Sequence, residues 1–235
     1  MSLLRRLWDH PVRHVLQNLA MAVPPVRALA RLAHRTGAMN DPEEVRRRAR
    51  RVTEAMEAEG LLVAGARLVE VGPGHTLGVG VALLLAGASE LLAVDTHPYA
   101  SPSAPGPYLP LGGEEAVRGA LGRLRCRLAG REGRWPLEDA SADVVYSFSV
   151  LEHVRSVDAL LEEAWRVLRP GGLAIHSIDL RDHFQLDPGE DWLRFLRYPD
   201  RQWDLMTSRR SNWCNRLRSP ELRERFARRF ELRRF

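Results

Sequence analysis

The sequence contains no lysine. All 35 basic side chains among its 235 residues are arginines, which excludes Schiff-base chemistry and lysine nucleophiles. Cysteine is almost as scarce. Cys126 and Cys214 stand apart, with no metal-ligand spacing and no disulfide framework, and a reducing cytosol is the location such usage implies. Long apolar runs are missing too: the best, Val15 to Val26, is too short to cross a bilayer and carries Pro24-Pro25. A clean secretory signal is also absent, because His10, Arg13 and His14 interrupt the amino-terminal stretch.

What is present is a 45% apolar chain of a length that suits one α/β domain with a modest extension. The net charge of +5 admits a basic surface for nucleic acid or anionic lipid. It equally admits arginines on solvated faces, and the acidic residues interspersed through most of the chain favour that second reading.

Residues 1–39 read as one or two amphipathic helices broken at Pro24-Pro25. Asp41-Pro42-Glu43-Glu44 is a helix start, with Asp41 as cap, Pro42 in the first turn and Glu44 at the capping-box position. Val45, Ala49, Val52 and Met56 then share one face and Gly60 stops the helix. The division expected is a helical cap over residues 1–60 and a cofactor-binding domain over 61–235. From Arg67 strands and helices alternate, the signature of a parallel sheet. The expected strands are 67–71, 90–94, 124–128, 143–148 and 173–178. Pro98 to Gly113 reads as a loop. Ser156 caps a helix with the stripe Val157, Leu160, Leu161, Ala164 and Leu168, ended by Pro170-Gly171-Gly172. A helix near 220–229 leads to a single strand at 230–235.

The most informative run is Leu68-Val69-Glu70-Val71-Gly72-Pro73-Gly74. An apolar strand ends in an acidic residue and opens into a glycine turn, where the backbone can approach a ligand closely. A second strand, Leu91 to Val94, ends in Asp95, which puts a carboxylate where nucleotide-binding folds hold ribose hydroxyls. Farther on, Asp143 to Val154 includes Ser149-Val150-Leu151-Glu152-His153-Val154, followed by Arg166-Val167-Leu168-Arg169-Pro170-Gly171-Gly172.

With these three motifs the chain resembles the class I S-adenosylmethionine-dependent methyltransferases of the small-molecule branch, over roughly residues 60–180. The resemblance implies an α/β, Rossmann-like, mostly parallel sheet with helices on both faces, an N-terminal helical extension and an incomplete C-terminal antiparallel pair. It implies S-adenosyl-L-methionine as cofactor. Glu70 and the Gly72, Pro73, Gly74 turn would hold its amino-acid end, Asp95 with Thr96 its ribose, and Ser149 its methionine part. The acidic residue expected near adenine falls at Arg131, with Glu132 beside it as the candidate. The third glycine of the first motif is replaced by Thr76.

Methyl transfer needs alignment of the acceptor and, for a hydroxyl acceptor, removal of a proton. His153, just past the fourth strand, is the first candidate base; Asp179 and His183, past the fifth, are the others. Packing or capping is the competing role for each. Trp192, Phe195, Tyr198, Trp203 and Trp213, with Arg209 and Arg210, are the candidates for holding a small-molecule acceptor or glycan precursor, or for packing on the sheet. A nicotinamide dehydrogenase is disfavoured because Leu77 occupies the third glycine position of its fingerprint. The base-methylating Asn/Asp-Pro-Pro motif is absent at Ser147-Phe148-Ser149-Val150, so nucleic acid is disfavoured as acceptor, though RNA methylation by another route stays open. A non-catalytic cofactor-binding or interaction protein stays open as well, since an exposed sheet edge could receive a partner or a second copy.

Overall fold

The computed structural model describes residues 11–33, 41–98, 104–130, 133–184, 191–210 and 213–234. The helices are α1 (Pro11–Ala20), α2 (Pro24–Ala33), α3 (Pro42–Ala58), α4 (Gly78–Leu85), α5 (Glu114–Gly122), α6 (Val157–Val167), α7 (Asp200–Thr207) and α8 (Ser219–Ala227). The strands are β1 (Arg67–Val71), β2 (Glu90–Asp95), β3 (Leu124–Leu128), β4 (Ala142–Phe148) and β5 (Leu168–Ser177). They form one parallel sheet in the order β3-β2-β1-β4-β5, as the alternating pattern predicts. The order reverses between β1 and β4, which in open α/β sheets opens a crevice at the carboxyl ends of the strands.

The chain divides into two compact units. The larger contains α3 to α6, the sheet and the chain from Leu222 onward. Strand residues alternate between its two faces. Leu68, Leu91, Ala93, Val144 and Tyr146 pack with α3, α4 and α5 on one side; Val69, Val71, Leu92, Val94 and Val145 pack with Ala164 and Val167 of α6 on the other. Helix α3 starts as its sequence predicts. The Asp41 carboxylate accepts the Glu43 N–H at 3.0 Å, and Val45, Ala49, Val52 and Met56 are buried. Glu44 does not complete a capping box; it pairs with Arg47 and Arg48 instead.

Two motif residues prove architectural. The Asp143 carboxylate accepts the Arg67 N–H at 2.6 Å and pairs with Arg169, tying β4 to β1 and β5. Arg166 donates to the carbonyls of Leu137 and Trp135 and pairs with Asp139 and Glu163, pinning α6 to the segment before β4.

Three expectations are corrected. Pro170-Gly171-Gly172 does not end α6, which stops at Val167. The three residues lie inside β5 at a register shift, because Leu168 already pairs with Ala142 before Leu173 pairs with Val144. Residues 231–234 form no strand, and no antiparallel strand occurs among the described residues. Part of the loop expected over 98–113 is a 3₁₀ helix, Gly106–Leu111, that buries Tyr108.

The smaller unit contains α1, α2, Glu152–Arg155 and the chain from Asp179 to Glu221. Its centre is Phe195, Trp203 and Cys214, with Phe184, Tyr198 and Trp213 packed against them.

Candidate functional site

At the carboxyl ends of β1, β2 and β3 lies a cleft of about 130 Å³, lined by Pro73 and Gly74, by Ala93, Asp95, His97 and Pro98, and by Cys126, Arg127 and Leu128. Its shape comes from the turn after β1. Gly72 and Gly74 hold φ of +62° and +69°, and a Cβ on Gly72 would stand 2.7 Å from a Val150 methyl. Only glycine meets both demands at position 72. Ser149, which follows β4 and donates its N–H to the Ser177 carbonyl at 2.8 Å, is held at φ +55°. Such conformations in residues other than glycine concentrate at functional sites.

The Asp95 carboxylate is fixed by its own turn: Oδ1 accepts the His97 N–H at 3.0 Å. Thr96 is exposed, and its hydroxyl lies 2.9 Å from the His97 ring, so it braces the turn rather than lining the cleft. Glu132 lies outside the described residues. His97, Cys126 and Arg127 escaped the sequence reading. The signal for the last two was available, since β3 pairs with β2 in parallel with Ala93 opposite Cys126 and Asp95 opposite Leu128.

Glu70 has a different place from the one expected. It is 3% exposed and absent from the cleft lining, and its side chain lies under α4, where the Tyr146 hydroxyl and the Gly80 backbone face it. Burial pushes its carboxyl up to about 7, with Tyr146, Arg48 and Gly80 opposing. Among the described residues the turn is therefore the part of the first motif that faces the cleft, and Glu70 supports it from beneath. On the opposite face His176 is half-buried, 2.8 Å from the Ser147 hydroxyl, and burial lowers it to about 4.

The three candidate bases gather in the smaller unit. The His153 and His183 rings stand 4.8 Å apart between centroids, and His183 Nε2 lies 3.6 Å from Asp179. His153 Nδ1 is 2.7 Å from the Trp213 carbonyl. A carbonyl only accepts, so Nδ1 carries a proton there. The Arg181 guanidinium holds the Asp179 carboxyl below its ordinary range. Burial and the His153 charge lower His183. Glu152, also missed in the sequence, accepts the Asp179 N–H at 3.1 Å, and burial pushes its carboxyl up to about 7.

Cys214, isolated in sequence, joins this cluster. Burial, then Glu152 and Asp182, push its thiol up to about 12. The ligating atoms of His153, His183 and Cys214 all lie within 4.8 Å of one another. Zinc takes His and Cys ligands at about 2.0–2.3 Å; here Cys214 is buried and the two histidines are half-buried. The aromatic stretch is mainly packing. Phe195 and Trp203 are 0% and 3% exposed, which removes them as acceptor-binding surfaces. Trp213 is covered by Arg155 at 3.8 Å and Phe184 by Arg210 at 4.3 Å. Trp192 stays 41% exposed beneath Arg181.

The profile of the methyltransferase domain family matches residues 69–176, the stretch that builds β1 to β5 and the turn. Residues 69–176 are thus similar to methyltransferase domains. A protein of Mycolicibacterium smegmatis named as a probable S-adenosylmethionine-dependent methyltransferase is 46% identical over 56 residues, 24% of this chain and 21% of that protein. The chain thus matches about a fifth of its curated relative. Among solved structures, an S-adenosylmethionine-dependent methyltransferase from Mesorhizobium loti aligns with a TM-score of 0.49 and 20% identity, over 74% of this chain and 78% of that one. Phosphoethanolamine N-methyltransferase 2 of Haemonchus contortus, solved with S-adenosyl-L-methionine, aligns with 0.47 and 17% identity, over 76% and 36%.

Proposed function

We propose that this chain uses its methyltransferase domain to transfer a methyl group from S-adenosyl-L-methionine to a small-molecule or glycan-precursor acceptor. The observation that carries the reading is Asp95, fixed by its Asx turn in the cleft that the Gly72–Gly74 turn opens. The donor set fits the cofactor: a carboxylate is acceptor-only and suits a pair of ribose hydroxyls, and Ala93 and Leu128 supply apolar lining. Bound there, the sulfonium supplies an already activated methyl.

The chain's task is then to hold the acceptor, exclude water and take up a proton where the acceptor is a hydroxyl. His153, positioned by its Nδ1 contact with the Trp213 carbonyl, is the residue proposed to take that proton, with Asp179 and His183 beside it.

The test is calorimetric titration with S-adenosyl-L-methionine, followed by incubation with methyl-labelled cofactor and a metabolite extract. The expected results are binding heat that Asp95→Ala weakens at least about tenfold, in line with loss of a charged hydrogen-bond acceptor, and a labelled small molecule. Absence of binding heat overturns the reading. If His153→Ala leaves the transfer rate unchanged, the proton goes elsewhere; as a general base it contributes about 10²–10⁴-fold.

A further inference from the structure

Helix α1 is amphipathic with its apolar side outward. Val12, Leu16 and Leu19 are 48–62% exposed, and the buried positions are His14 and Asn18. Specific bonds hold this orientation. Asn18 donates from Nδ2 to the Leu205 carbonyl at 2.9 Å and to the Ser208 hydroxyl at 3.2 Å, and its Oδ1 accepts the Arg209 N–H at 2.7 Å. The Arg210 guanidinium meets His14 Nδ1 at 3.0 Å, and the His14 ring packs edge-on against Phe184. Rolling α1 over to bury Leu16 would break all of these contacts, so the exposure is built in.

The apolar surface continues through Val23, Val26 and Leu29, which are 39–67% exposed. Six of the fourteen large apolar side chains exposed among the described residues thus fall within residues 11–33. That concentration marks an interaction surface rather than scattered surface residues.

Charge identifies what would cover it. Residues 1–40 hold six arginines and one acidic residue, Asp9, for a net +5. The other 195 residues hold 29 charges of each sign and are neutral. The net charge of the protein therefore falls within its first forty residues, and the stretch 11–33 that carries the apolar surface holds three of the arginines and no acidic residue. No helix is long and apolar enough to cross a membrane among the described residues. Short helices with arginine on one side and Val and Leu on the other match segments that lie in the headgroup region, where each basic residue adds attraction to anionic lipid.

We propose that α1 and α2 dock the protein on an anionic phospholipid bilayer, with Val12, Leu16, Leu19 and Leu29 entering the acyl boundary and Arg13 and Arg27 meeting phosphates.

Sedimentation of the full chain with phosphatidylcholine vesicles, with and without phosphatidylglycerol, tests this independently of any cofactor. The expected result is binding to the anionic vesicles that weakens steeply with added salt. The double variant Leu16→Ser, Leu29→Ser should lower the affinity at least about tenfold, because it removes buried apolar surface at the bilayer. Both side chains are exposed, so thermal unfolding should match wild type. Arg27→Gln should cost about fivefold at low salt. The proposal fails if anionic vesicles leave the protein in the supernatant, or if the double variant sediments like wild type. It also fails if the protein ignores vesicles and forms a dimer that Leu16→Ser dissociates, which would make a second copy the occupant of the surface.

Discussion

Helices α1 and α3 carry equally clear apolar stripes and use them in opposite ways. In α3 the stripe faces inward: Val52 and Met56 are 0% exposed. In α1 the polar residues face inward and the stripe faces solvent. Periodicity of 3.6 residues reports that a helix has two faces; it does not report which face the fold buries. That depends on what the neighbours offer. Around α3 they are aliphatic side chains of the sheet and α4. Around α1 they are the free carbonyl at Leu205 and the N–H at Arg209, at the end of α7, which an asparagine satisfies and a leucine would leave unpaired.

The largest effect that would sharpen this contrast is in α3. Met56→Ala should cost about 2–5 kcal/mol of stability, as buried large-to-small substitutions do, read from urea unfolding followed by circular dichroism. Asn18→Ala should cost about 1–3 kcal/mol, because the Leu205 carbonyl and Arg209 N–H lose a shared buried partner. Hydrogen exchange should place that loss in α1 and α7, and an unchanged exchange rate there would dissolve the contrast.

A third probe uses the inward polar groups of the sheet. Glu70 is held near 7 and its unfolded value is 4.5, so between those values the native state keeps a proton that the unfolded chain gives up. Its contribution to stability is complete below 4.5 and is lost as pH rises through 7, by up to about 1.4 kcal/mol per pH unit. His176 has the opposite sign. Its folded value of about 4 lies below 6.5, so its contribution is present above 6.5 and is lost as pH falls toward 4. Stability measured against pH should fall less on the alkaline side in Glu70→Gln than in wild type, and His176→Gln should flatten the acid side. The smallest effect is Leu16→Ser, which should leave stability within about 0.5 kcal/mol of wild type, as for other exposed positions.

The same distinction sets what could be read from the sequence. The sheet was legible because every strand but β3, which alternates Leu-Arg-Cys-Arg-Leu, contains an apolar run, and the turn at Gly72–Gly74 because positive φ and close approach both select glycine. Asp95 was legible because the end of β2 is fixed by the strand itself. Glu70 was misplaced because a carboxylate at the end of a strand can point into the crevice or under the next helix, and the side is decided by register: Glu70 lies opposite Ala93 and Tyr146, on the α4 face. The polar cluster was legible only in pieces. His153, Asp179 and His183 were picked out one by one, but Glu152 and Cys214 join them through folding of the chain between 179 and 215, for which no periodic pattern exists. The aromatic stretch misled for a related reason, since Trp and Phe look alike in sequence whether they line a site or fill a core.

The corner between α6 and β5 has no linker: the helix ends at Val167 and the strand begins at Leu168. Gly172 fits there because a Cβ would stand 2.9 Å from the Asp143 carbonyl. Adding a single residue after that glycine would slide the rest of the strand by one position and exchange its two sides. Ile175 and His176 would then swap layers, setting an imidazole among the aliphatic side chains beneath α3 and an isoleucine beside the Ser147 hydroxyl. This corner is accordingly a poor place for an insertion, whereas the exposed stretch near Gly60 and Leu62 offers room to lengthen the chain without disturbing the sheet.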